Sequence, residues 1–234
     1  MMLRKRSILL LLLLWSAVAG AQSVDFATEF AGSYGLKPWR GGNLSFGEKV
    51  RLTQNSTRYS QSKTSVVLHQ GLLKRQLDLY DLRLRVGGGY TFINRLTDAY
   101  SNPYYENQHR LMVQSTLAWS YGFWRFTGRL RMQSTFRDER RGDYRYNPKL
   151  ALRGRLSAAY AMPDRPWKFG LHSELFYRAN DPRGAFVDEW RTTAEATYLL
   201  DRHSSVTLYA KYFHELQVAD PLRMFALGLR YDFE

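Results

Sequence analysis

Cysteine is absent from the 234 residues. Disulfides, thiolate catalysis and Cys-ligated zinc or iron–sulfur sites are therefore excluded. Beyond the N-terminus no stretch approaches the ~20 apolar residues of a transmembrane helix. Acidic residues are in the minority, 21 against 34 Lys plus Arg, which gives a net charge of +13 and a pI near 10.0. What the chain has in excess is aromatic: 16 Tyr, 13 Phe and 6 Trp make up 15% of it. Hydrophobic residues reach 44%, a globular proportion rather than that of a disordered tail. An all-β barrel of this length forms a single domain.

The N-terminus reads as an address. Arg4, Lys5 and Arg6 form a basic region, Ile8 to Trp15 a short apolar core, and Ala19-Gly20-Ala21 a small–x–small cleavage pattern. This is the signature of a cleaved secretory signal peptide over 1–21, with 22–234 as the mature domain. The apolar run is too short to anchor the chain in a ~30 Å hydrocarbon layer. Its removal takes away three basic residues and no acids, lowering the net charge from +13 to +10.

The remainder alternates with a period of two. In the stretch 124–137, Trp124, Phe126, Gly128, Leu130, Met132, Ser134 and Phe136 share one parity. Arg125, Thr127, Arg129, Arg131, Gln133, Thr135 and Arg137 share the other. That is a strand with one apolar and one polar face; on a helix the arginines would be scattered all round. Leu150–Tyr160, Trp167–Arg178, Val206–Glu215, Phe225–Phe233 and Tyr80–Phe92 repeat the pattern. Weaker versions occupy Val24–Tyr34, Leu44–Thr53, Ser65–Leu73, Arg110–Tyr121 and Trp190–Leu200.

Short connections (121–123, 162–166, 200–204) alternate with longer polar ones (94–107, 138–147, 180–188, 217–221). Aromatics cluster at strand ends: Tyr121, Phe123 and Trp124; Tyr160 and Trp167; Tyr198, Tyr231 and Phe233. Short turns at one rim, longer loops at the other and aromatic girdles are the habit of outer-membrane barrels. The fold expected is all-β, an antiparallel up-and-down transmembrane β-barrel in the cell outer membrane. Eleven strands are legible, and because single-chain bacterial barrels have even numbers, twelve are expected, with ten next. The alternative architecture is a soluble antiparallel β sandwich or periplasmic barrel. It would turn Leu130, Leu152, Leu171, Leu208 and Leu227 into a closed core.

The segments Gln108-His109-Arg110, Arg129-Leu130-Arg131, Leu152-Arg153-Gly154-Arg155-Leu156, Ser173-Glu174-Leu175-Phe176, Arg191-Thr192, Ser205–Tyr212 and Leu227–Phe233 together resemble domain of unknown function 2490. This is a family of exported, barrel-like bacterial proteins found mainly in Bacteroidota. The resemblance implies location and fold. It brings no established activity and no site residues.

The polar face supplies the candidate site. Its basic cluster is Arg83, Arg85, Arg125, Arg129, Arg131, Arg153, Arg155, Arg178, Arg191 and Lys211, with Glu174, Glu195 and Glu215 as acidic partners. Lys49, Arg51, Arg110, Arg137, Lys149, Lys168 and Arg230 extend the basic face, and Asp25, Glu29, Asp81, Glu189 and Asp232 the acidic one. An excess of positive charge inside a barrel fits either an Arg–Glu network that plugs it or a lumen that favours anions. The charge lies on strand faces opposite apolar ones, not on a groove-reading element, so nucleic acid is not an expected partner.

Catalytic signals are thin. His172 and Glu174 share a strand face, but Ser173 between them points the other way, so no local triad forms. His214-Glu215 is not followed by a second His at metalloprotease spacing. Gly87-Gly88-Gly89 lies inside a strand without the helix and lysine of a phosphate loop, and is read as relief of crowding or a bend in the strand. No catalytic residue, metal or cofactor is assigned. Loop residues Tyr100, Tyr104, Tyr105, Arg140, Arg141, Asp143, Tyr144 and Tyr146 could meet sugars or lipopolysaccharide phosphates, though ordinary exposed loops also have this composition. The expected role is a structural envelope component or a narrow, basic-lined channel. Its partners would be outer-membrane lipid and lipopolysaccharide, the barrel-assembly machinery and a small anionic solute. A barrel enzyme acting on lipid or lipopolysaccharide is the competing role.

Overall fold

In a computed structural model of the chain, every alternating stretch is a strand. Residues 24–53, 61–77, 80–97, 104–138, 147–182, 184–216 and 223–234 are described; the expected signal peptide and the loop residues Tyr100, Arg140, Arg141, Asp143, Tyr144 and Tyr146 lie outside them. The strands are β1 (Val24–Leu36), β2 (Gly42–Thr53), β3 (Gln61–Leu77), β4 (Tyr80–Thr97), β5 (Tyr104–Tyr121), β6 (Trp124–Arg137), β7 (Lys149–Ala161), β8 (Trp167–Arg178), β9 (Phe186–Leu199), β10 (Ser204–Glu215) and β11 (Arg223–Phe233). Each pairs antiparallel with its sequence neighbours, and β1 closes the barrel on β11.

The closing pair is parallel, in register from Val24 opposite Arg223 to Tyr34 opposite Phe233. This follows from number. Directions alternate in a meander, so an odd count leaves the first and last strands running the same way. Among the described residues the count is eleven, one fewer than the even-number expectation. The legible segments were right, and the missing partner is replaced by a parallel seam.

Two segments expected as loop are partly strand. Asn94–Thr97 and Tyr104–Asn107 extend β4 and β5, which remain paired to Thr97 opposite Tyr104. Asn94 Nδ2 donates to Asn107 Oδ1 at 2.8 Å, so the pairing of two polar residues is reinforced across strands. Likewise β9 starts at Phe186, two residues earlier than Asp188.

The apolar parity points outward. Leu130, Leu152, Leu171, Leu208 and Leu227 are 59, 41, 57, 60 and 43% exposed, whereas Arg153 on the other parity is 8% exposed. Inside, among the described residues, Ala27, Phe213, Met224 and Ala226 form a buried apolar cluster beside the seam. Ile93, Met112, Phe176 and Tyr209 are buried apolar or aromatic residues elsewhere on a mostly polar inner wall. Aromatic pairs ring the short-turn rim on the outside: Tyr34 stacks on Phe233 at 5.6 Å, Trp124 packs on Tyr160 at 5.0 Å and Trp167 meets Tyr198 edge-on at 5.0 Å. At the opposite rim Phe26 meets Phe225 at 5.4 Å and Phe92 meets His109 at 5.5 Å.

Candidate functional site

The lumen holds a cavity of 1240 Å³. Its lining runs from Asp25, Thr53, Gln61, Arg137, Lys149, Asp188 and Glu215 at the long-loop rim down to Val67, Arg155 and His172. No lining residue comes from the short-turn rim. The space is a vestibule facing the long loops. Among its lining residues are fourteen Lys and Arg and six Asp and Glu.

Of the basic cluster read from the sequence, Arg129, Arg131, Arg153, Arg155, Arg178, Arg191 and Lys211 line this vestibule. Arg83, Arg85 and Arg125 share the inner parity but sit in the short-turn half, away from it; Arg83 pairs with Asp81. Glu174 and Glu215 line the vestibule, and Glu195 lies beneath it.

Carboxylates divide the cations into groups. Glu174 on β8 receives Arg129 of β6 at 2.9 Å and Arg153 of β7 at 2.7 Å. Adjacent strands place these side chains in nearly one row, since Arg155 is directly opposite Glu174 and Arg129 opposite Arg155. Nearer the mouth, Arg178 donates to Asp181 at 2.8 Å and to both oxygens of Asp188, at 2.7 and 2.8 Å. Arg191 is paired with Glu189 two residues away.

The most heavily bonded acid is Glu29, which was not among the partners singled out from the sequence. Its side chain is fully buried, and it accepts from Lys49 at 2.5 Å, Arg51 at 2.8 Å, Lys211 at 2.7 Å and the Tyr209 hydroxyl at 2.9 Å. Tyr209 reaches it from β10 by passing over β11. The residue opposite both is Gly228, where a Cβ would strike the Tyr209 ring. Gly87 does the same on the far wall: it lies between His69 of β3 and Gln114 of β5, which hydrogen-bond across it. Gly87 therefore relieves crowding, one of the two roles read from the sequence for this segment.

Aromatic side chains absent from the sequence reading complete the inner wall. Arg153 and Arg191 each stack 4.1 Å from the Phe176 ring. Arg191 and Arg51 stack 4.8 and 4.7 Å from Phe213. Lys211 lies 4.7 Å from Tyr209. Guanidinium over an aromatic face keeps a weakly hydrated cation attractive without neutralising it. The available signal was parity alone: Phe176, Tyr209 and Phe213 share the polar face of their strands, but an apolar residue on a polar face reads as noise.

His172 has no catalytic partner of the kind weighed from the sequence. Its Nε2 approaches Glu195 at 2.9 Å, off hydrogen-bond alignment, and Glu174 is occupied by arginines. Ser173 faces outward, where Trp190 Nε1 donates to its hydroxyl at 2.9 Å. Among the described residues no three potential ligands gather as a metal site.

No curated protein matches the chain. The family model described as "Protein of unknown function (DUF2490)" covers residues 41–220, the stretch from the β1–β2 turn to the β10–β11 loop. With most of its length so matched, the chain belongs to the DUF2490 family.

Proposed function

We propose that the protein is exported, spans the outer membrane as this barrel and presents a basic vestibule that accepts anions from the long-loop side. One observation carries the reading: on every side of the barrel the large apolar side chains are exposed, Leu156 at 72% being the extreme, while charge is turned inward. Monomeric soluble proteins rarely expose contiguous apolar patches above a few hundred Å², and a lipid-facing band bounded by aromatics is the physical alternative. Trp124 and Phe136 lie on the outer face of β6 near opposite rims. At ~3.3 Å per residue and ~40° tilt they are about 30 Å apart along the barrel axis, the thickness of a hydrocarbon core.

Contact with lipopolysaccharide, insertion by the barrel-assembly machinery and passage of a small anionic solute belong to the same proposal. A lipid-hydrolysing enzyme has less support, because Ser173 and His172 lie on opposite faces. Recording from the purified protein in a planar bilayer tests the reading. Conductance should prefer anions, and the preference should fall when Arg129, Arg131, Arg153 and Arg155 are replaced together by Gln. Cation selectivity of the unaltered protein overturns anion acceptance. Recovery of the unaltered protein only in the soluble periplasmic fraction overturns the membrane reading.

A further inference from the structure

The vestibule cations are not equivalent. Those around Glu29, Glu174, Asp188 and Glu189 have carboxylate partners. Lys63 of β3, Arg110 of β5 and Arg131 of β6 take part in none of the ion pairs among the described residues. Arg95 of β4 and Arg155 of β7 also stand outside those pairs, but each lies directly opposite a glutamate, Glu106 and Glu174. Lys63, Arg110 and Arg131 all line the cavity.

They are nonetheless held in place. Arg131 donates from Nε and Nη2 to Gln114 Oε1, at 2.9 and 2.6 Å. Arg110 donates from Nε to Thr135 Oγ1 at 3.0 Å. A neutral acceptor fixes the direction of a guanidinium without neutralising it as a carboxylate would. The charges acting most strongly on the Lys63 ammonium are Arg51, Arg110, Lys49 and Arg191, all cationic. Arg51 and Arg191 are engaged with Glu29 and Glu189. Of the cavity cations outside the ion pairs, Lys63, Arg95, Arg110 and Arg131 all lie on the wall from β3 to β6.

We infer that Lys63, Arg110 and Arg131 form the receiving face for a phosphate-bearing ligand that enters through the long-loop mouth. The inference rests on the proposed reading only for the accessibility of that mouth. A monovalent anion engages these groups one at a time. A phosphoryl group carries up to two charges and three or more acceptor oxygens, which suit guanidinium forks and a lysine point charge together. A volume of 1240 Å³ exceeds what inorganic phosphate needs and leaves room for the sugar or headgroup that bears it. The same chemistry belongs to a free phosphate ester and to the headgroup of an envelope lipid.

Isothermal titration of the mature barrel in non-ionic detergent separates these sources. One arm uses inorganic pyrophosphate, the other monomeric dihexanoyl phosphatidic acid. At least one should bind, and the tighter of the two identifies the source. Joint replacement Lys63→Gln, Arg110→Gln and Arg131→Gln should weaken binding at least tenfold. Lys37→Gln, in the exposed β1–β2 connection outside the cavity, should leave it unchanged. If the triple variant does not give the folded, heat-modifiable band, Lys63→Gln and Arg110→Gln are titrated singly and should each weaken binding. No binding of either probe by the unaltered protein, or undiminished binding by the folded variants, overturns the inference. Anion-selective conductance without phosphate binding would remove the inference and leave the proposed function standing. Phosphate binding by a protein that does not enter membranes would do the reverse.

Discussion

Without its carboxylate, Glu29 would leave Lys49 and Lys211 beside Arg51 without the counter-charge that the three share, and the Tyr209 hydroxyl without its carboxylate acceptor. Removing one partner from a buried ion pair typically costs ~3–5 kcal/mol, because the remaining charge stays desolvated. Glu29→Gln should therefore lower barrel stability by about that amount, read as the midpoint of heat-modifiable migration or urea unfolding. A change under ~0.5 kcal/mol, the scale of ordinary surface substitutions, would show that water in the lumen already screens the three cations. The location of this cluster gives it a second role. Parallel pairing is slightly weaker per residue than antiparallel, and Glu29 ties β1 to β10 across the parallel seam. Ser33 adds a direct bond to Asp232 of β11 at 2.6 Å.

Individual elements carry their own tests. On β7, Leu156 faces outward and Ser157 inward. Leu156→Arg should cost ~2–4 kcal/mol if it sits near the bilayer midplane, and Ser157→Arg clearly less. Equal costs in a refolding assay into lipid vesicles would contradict the assigned faces. The β9–β10 turn is organised by Asp201, which accepts from the Ser204 hydroxyl at 2.6 Å and from the His203 and Ser204 amides at 2.6 and 2.7 Å. The Ser204 hydroxyl bond, with the two amide bonds, holds its carboxyl below the usual range. A lowered acid pKa means stabilisation present above the ordinary carboxylate pKa and lost as pH falls through the lowered value. The protection factors of the amides in residues 202–205, corrected for the intrinsic exchange rate at each pH, should therefore fall on acidification below pH ~4, and Asp201→Asn should flatten that response.

For the whole molecule, an odd strand count has a topological consequence. β1 begins at the long-loop rim, whereas β11 ends at the short-turn rim. In an even-stranded barrel both would lie at one rim. With long loops outward, as in outer-membrane barrels, a tag placed immediately before Val24 should be labelled on intact cells. A tag after Glu234 should be labelled only after permeabilisation. Both tags on the same side would contradict the parallel seam. The vestibule opens on the same face as the start of β1, so in the proposed orientation a ligand captured there would arrive from outside the cell.

The barrel was legible in the sequence because a strand that divides lipid-compatible from polar surroundings must alternate, and the period of two survives without any knowledge of partners. All eleven segments, the outward leucines and the short-turn aromatics follow from that parity. Strand count did not: an even-number habit was imposed on eleven visible strands, and only closure of the sheet decides that β1 can pair parallel with β11. The site was half visible. Inward arginines can be read residue by residue, so Arg129, Arg153 and Arg191 were placed on the correct face. Which carboxylate each one meets depends on register between strands far apart in the chain. Glu29 and Tyr209 are 180 positions apart and meet because the barrel closes and Gly228 leaves room between them. That Lys63, Arg110 and Arg131 join no ion pair among the described residues is likewise a property of the closed barrel, since whether a charge is paired depends on what closure brings beside it.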